Sequence, residues 1–164
     1  RGKAMINNIQ IEICIGNIDD ALTASKYPID RIELNSALEL GGLTASVETL
    51  KYLKQNIKPK ICCMVRPRGG NFIYTDLEFK TMLKDAKLLL ENGADGIVFG
   101  FLNEDKTVNI EKTKESWQFF INAWVILTVL KQTLKLFKQF RKDGIKKAFV
   151  IACAQNAIKI AKLV

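Results

Sequence analysis

No histidine occurs in the 164 residues, and the four cysteines, at 14, 62, 63 and 153, are never spaced Cys-x-x-Cys. The usual zinc signatures are therefore excluded, as is the cysteine frame of a small secreted protein. Neither Gly-x-Gly-x-x-Gly nor a Walker phosphate loop is present, which removes the fingerprints of the nucleotide-binding α/β folds. The apolar run Phe119 to Leu130 falls short of the ~20 residues that a membrane-spanning helix needs. No apolar stretch follows the charged start Arg1 to Met5, so a secretory signal is not expected. Helix-turn-helix, zinc-finger and aromatic stacking motifs are missing too, and a specific nucleic-acid partner is not expected.

The net charge of +8 is unevenly placed. Residues 1–105 carry 13 basic against 14 acidic side chains, whereas residues 106–164 carry 12 against 3. The excess belongs to the last third, where lysine-rich helices commonly present solvated faces. An apolar content of 48% with 26% charged residues is that of an ordinary globular domain. Cysteines set in apolar, strand-like segments are expected as reduced thiols in a cytoplasmic protein.

What is present is an alternation of strand and helix about every thirty residues. Residues 9–15 alternate as a strand, 18–26 read as a helix with acids in its first turn, 30–35 as a second strand and 44–56 as a second helix. A third strand is expected over 60–66, a helix over 76–92 with Gly93 as its stop, and a fourth strand over 95–101. Such alternation implies right-handed βαβ units around a parallel sheet. Polar residues within the strands favour a closed barrel. Glu12 and Cys14 share one face, as do Arg31, Glu33 and Asn35, and then Cys62, Met64 and Arg66. The opposite faces are aliphatic, apart from Cys63, and suit packing against helices.

The stretch Lys60 to Phe72 is the most telling. A buried strand stops at Arg66-Pro-Arg-Gly-Gly70, delivering two guanidinium groups and bare backbone to the carboxyl end of the sheet, where such folds collect function. Arg66, Arg68, Gly69 and Gly70, with Glu12, Arg31 and Glu33, are the candidate ligand-binding residues of a barrel mouth that would clamp a small anion. The plainer alternative is a buried ionic network that fixes register. Cys14, Cys62 and Met64 form a soft-donor set of the kind that suits Cu(I), or else ordinary core residues.

Several of these segments together resemble the copper homeostasis protein CutC family: Ile11-Glu-Ile-Cys14, Asp30-Arg-Ile-Glu-Leu-Asn-Ser-Ala-Leu38, Gly41-Gly-Leu-Thr44, Met64 to Phe72 with Tyr74, and Gly93 to Gly100. The resemblance covers about residues 9–115 and weakly 142–163. It implies a TIM-type (β/α)8 barrel, a cytoplasmic location and a role in copper handling. It also marks departures. Asn35 stands where the family typically has a cysteine, so a two-cysteine copper site keeps Cys14 alone, and the family's histidine-bearing fifth-strand motif has no counterpart.

Residues 1–164 are accordingly read as one incomplete barrel domain of five or six βα units, with 116–141 divergent and the last two units missing. An altered stretch between two recognisable ones is what compensating frameshifts in a degraded gene produce. Residues 111–141 are expected to form one long helix, with Trp117, Phe120, Trp124, Leu127, Leu130, Leu134 and Phe137 along one stripe. An open barrel exposes strand edges, from which a homo-oligomer is expected. The functional expectations are a copper homeostasis protein binding Cu(I), an enzyme or enzyme relic that binds an anionic metabolite, and a scaffold that keeps the motifs by descent. No reaction is definable from the residues.

Overall fold

A computed structural model describes residues 11–119, 124–127 and 148–150. Four helices alternate with the strands: β1 Glu12–Ile15, α1 Ile18–Ala24, β2 Arg31–Leu34, α2 Val47–Asn56, β3 Lys60–Met64, α3 Asp76–Glu91, β4 Gly96–Phe99, α4 Ile110–Phe119, β5 Trp124–Leu127 and β6 Ala148–Val150. A 3-10 turn, Leu38–Leu40, sits between β2 and α2. The six described strands run parallel in the order β1-β2-β3-β4-β5-β6, so each strand lies beside the one before it. This is the winding of a barrel rather than of a doubly wound sheet, whose strand order reverses.

Local chemistry explains the helix starts. Asn17 and Ser46 cap α1 and α2 by accepting from the backbone N–H of Asp20 and Thr49. Thr75 and Glu78 form a reciprocal capping box at the start of α3. That helix stops at Asn92, and Gly93 takes the left-handed conformation at φ 96°.

The outer face of the sheet buries Ile15, Ile32, Leu34, Ile61, Cys63, Val65, Ile97 and Phe99 against Leu50 and Leu53 of α2 and Phe79, Met82, Ala86 and Leu89 of α3. Burial of this aliphatic surface, at roughly 25 cal/mol per Å2, is the main force that holds helices to sheet. The inner face carries a second, smaller cluster of Cys62, Met64 and Val98. Glu12, Arg31 and Glu33 take inner positions on β1 and β2.

One expectation is corrected. Residues 111–141 are not one helix: α4 ends at Phe119, and Trp124–Leu127 pairs with β4 from Gly96↔Trp124 to Phe99↔Leu127. A run of four apolar residues fits a buried parallel strand as well as a helical stripe, and pairing with the open edge of β4 decides between them. Leu130, Leu134 and Phe137, further along the expected stripe, lie outside the described residues, as does Cys153.

Candidate functional site

Strand register sorts the inward side chains into rows. Glu12 pairs with Arg31 and Arg31 with Lys60, so this row lies at the amino-terminal end of the sheet. Cys14, Glu33, Cys62 and Gly96 form the next row. Met64 and Val98 lie one step higher, and Arg66 follows beyond the end of β3. Lys60 and Arg66 are six residues apart, which at ~3.3 Å per residue separates the first row from Arg66 by about 20 Å. The structure therefore does not bring the expected mouth residues together. Glu12 and Arg31 are at one end of the sheet, Arg66, Arg68, Gly69 and Gly70 are at the other, and Glu33 lies between.

In the first row the Arg31 guanidinium donates through Nε to Glu12 Oε2, and the two side chains are only 9% and 10% exposed. A guanidinium and a carboxylate taken out of water together cost far less than either alone. The second row centres on Glu33, which is buried. Burial pushes its carboxyl above the usual range, and the charge of Glu12 adds to this, while Asn35, Cys14 and Arg31 pull it back. Asn35 donates through Nδ2 to the Glu33 carbonyl and to Glu33 Oε1, both at 3.2 Å.

The soft-donor set is spread rather than gathered. Cys62 and Met64 are buried on β3, whereas Cys14 is exposed on β1. Two strand spacings put the Cys14 and Cys62 backbones about 9–10 Å apart. Burial drives the Cys62 thiol up to about 12, and Cys63, on the outer face, is pushed up as well. Among the described residues no group of three or more His, Cys, Asp or Glu is placed to hold a metal ion. The arrangement does not fit a resident thiolate centre. Its accessible soft donor is Cys14, with Cys62 and Met64 behind.

At the carboxyl-terminal rim the two arginines do different things. Arg66, 4% exposed, donates through Nη1 to the carbonyls of Leu40 (3.1 Å) and Gly42 (3.2 Å) and through Nη2 to that of Gly70 (2.6 Å). Its guanidinium also stacks 4.6 Å from the centre of the Phe72 ring. Arg68 is tied to Glu78 by Nε at 2.6 Å, reaches the carbonyls of Gly69, Asn71 and Ile73, and lies over the Tyr74 ring. The Arg68 partnership holds the Glu78 carboxyl below its usual range. Of the two glycines, Gly70 takes φ 85°, the left-handed conformation expected of it, and Gly69 does not.

Thr44 is a structural partner that the sequence reading missed. Its N–H and hydroxyl both donate to the Arg66 carbonyl, and its hydroxyl accepts from the Arg66 N–H at 2.8 Å. The loop after β2 is thereby strapped to the end of β3. Gly42, at φ 84°, lies so close to Asn35 Oδ1 that a Cβ there would collide with it. The segment Gly41-Gly-Leu-Thr44 carried this signal, but only the contacts across loops reveal what each residue holds.

Comparison with known proteins agrees with this geometry. The CutC family profile matches residues 9–123. A CutC family protein of Treponema denticola is 52% identical over 107 residues, covering 65% of this chain and 44% of its own length. A human protein named copper homeostasis protein cutC homolog is 41% identical over 111 residues, covering 67% of this chain and 41% of its own. The chain thus spans less than half the length of these relatives. The crystal structure of CutC from Streptococcus agalactiae superposes with a TM-score of 0.74 at 28% identity, covering 87% of this chain and 72% of that one. With the matched profile, these identities and the shared parallel winding in agreement, the chain belongs to the CutC family.

Proposed function

We propose that this chain acts in copper homeostasis, as the names of its relatives say of them, and that it meets Cu(I) as a cargo passed through a labile contact rather than as a resident cofactor. The observation that carries this reading is the placement of Cys14 and Cys62 in one inward row, with Met64 one step above Cys62. Soft thiol and thioether donors select Cu(I) over harder ions. Cys14 is the point of entry because it is exposed, whereas Cys62 is buried and its thiol is pushed up to about 12 by that burial. The buried pair supplies a soft wall behind it.

We place the protein in the cytoplasm, a reducing compartment in which thiols set in apolar strands, such as Cys62 and Cys63, stay reduced. Self-association is part of the same reading, since β1 and β6 are the edges of the sheet among the described strands.

An anaerobic Cu(I) titration against a chromophoric competitor tests it. The expected result is competition by one equivalent of sites, lost in Cys14→Ser and weakened less in Cys62→Ser. Failure of well-folded protein to compete at all would remove copper as a direct ligand.

A further inference from the structure

Arg66 is a buried cation without a buried anion. It is 4% exposed and forms no ion pair among the described residues, and the partners of its terminal nitrogens are uncharged carbonyls. Every other buried or half-buried arginine among the described residues has a carboxylate: Arg31 has Glu12 and Arg68 has Glu78. Carbonyl dipoles satisfy N–H groups but do not cancel a net charge, and an uncompensated buried charge is among the most expensive things a fold can hold. Of the seventeen acidic residues in the sequence, only Asp143 lies outside the described residues.

Two further donors mark the same place. Arg66 Nε is buried with no hydrogen-bond partner, and so is the hydroxyl of Tyr74, which is 6% exposed. The Arg66 guanidinium is close enough to the Tyr74 hydroxyl to lower, by its charge and by a long polar contact, the pKa that burial raises, but the contact lacks the geometry of a hydrogen bond that would satisfy either donor. Two orphaned buried N–H and O–H donors beside one uncompensated positive charge lack a negatively charged acceptor. The surrounding backbone is that of the loops after β2 and β3, where a parallel α/β barrel takes its ligands.

We propose that Arg66 Nε and the Tyr74 hydroxyl form the seat of a small oxyanion, a phosphate or carboxylate group, held at the carboxyl-terminal rim between the loops that follow β2 and β3. Arg68 is not part of the seat, because Glu78 already occupies its fork. The seat does not depend on copper binding, and either reading stands if the other fails.

The test measures thermal stability and binding heat with inorganic phosphate and with malonate, in chloride-matched ionic strength. Tyr74→Phe is the principal variant, since it removes one unpaired hydroxyl and leaves the Arg66 clamp on Leu40, Gly42 and Gly70 intact. Saturable stabilisation of the unmodified chain by one of the two anions is expected, with affinity falling about tenfold or more in Tyr74→Phe, the loss of one hydrogen bond to a charged group. Arg68→Gln is expected to keep the anion response. Phosphate alone stabilising would identify a phosphate ester as the ligand class, and malonate alone a carboxylic acid. No saturable response to either anion, or an equal response in Tyr74→Phe, would overturn the seat.

Discussion

The two ends of the sheet each bury an arginine, and they solve the same electrostatic problem differently. At the amino-terminal end Arg31 meets Glu12, its register neighbour on β1. At the carboxyl-terminal end Arg66 meets the carbonyls of Leu40, Gly42 and Gly70, with no carboxylate among the described residues. A pair closed within the sheet ties two neighbouring strands and leaves little for a ligand to do. A cation that gathers loop carbonyls organises two loops at once and keeps its charge available. The difference matches the division of labour in α/β barrels, where the amino-terminal face serves stability and the opposite face serves function.

Breaking the rim should have the largest effect. Arg66→Met removes hydrogen bonds to carbonyls of both loops and leaves buried acceptors unpaired, so a loss of about 3–5 kcal/mol is expected in urea unfolding, enough to approach global unfolding. Opening the Glu12–Arg31 pair should cost less and, unlike the rim, should be repairable. Arg31→Met strands a buried carboxylate at a cost of roughly 2–4 kcal/mol, and the double variant Glu12→Met/Arg31→Met should recover most of it, because apolar residues of similar volume replace a buried ion pair nearly neutrally. A double-mutant cycle measures the coupling. Failure of the double variant to recover stability would show that the pair does more than close a charge.

The smallest effect concerns the row between the two ends. Burial raises the Glu33 carboxyl, so over the window just above its ordinary value the folded chain holds a proton that the unfolded chain has released. Stability from this group is therefore present below the unfolded value and is lost as pH rises through the folded one. Glu33→Gln should raise the melting temperature at pH 7.5 by a few degrees at most and flatten its dependence between acid and neutral pH. A melting curve series that stays parallel to the unmodified chain would show that Glu33 is not the source of the slope.

Much of this was legible because it is local. The alternation of apolar and polar residues in 11–15, 31–35 and 60–66 identified which side of each strand meets the helices, and Ile32, Leu34, Ile61 and Cys63 all lie in the outer core. The helix expected over 76–92 is α3, Asp76–Glu91, and Gly93 takes the left-handed conformation just beyond its end. The candidate site was less legible. Arg66 and Arg68 look alike in sequence, yet one turns to loop carbonyls and the other to Glu78, ten residues away, because a flexible four-bond side chain finds partners set by loop paths. Trp124 to Leu127 read as part of a helix because its apolar residues suit both periods.

By itself, then, the sequence determined the repeating βα order, the outer core, the helix stop at Gly93 and the kinship with CutC, since each depends on periodicity, on a residue's own backbone preference or on a run of neighbours. Only the tertiary structure decided that Glu12 and Arg31 stand about 20 Å from Arg66, that Cys14 and Cys62 flank Glu33 instead of meeting, and that Arg66 is left without a counter-charge. Those facts depend on strand register and loop closure, where residues tens of positions apart come into contact, and no local preference specifies which of them will pair.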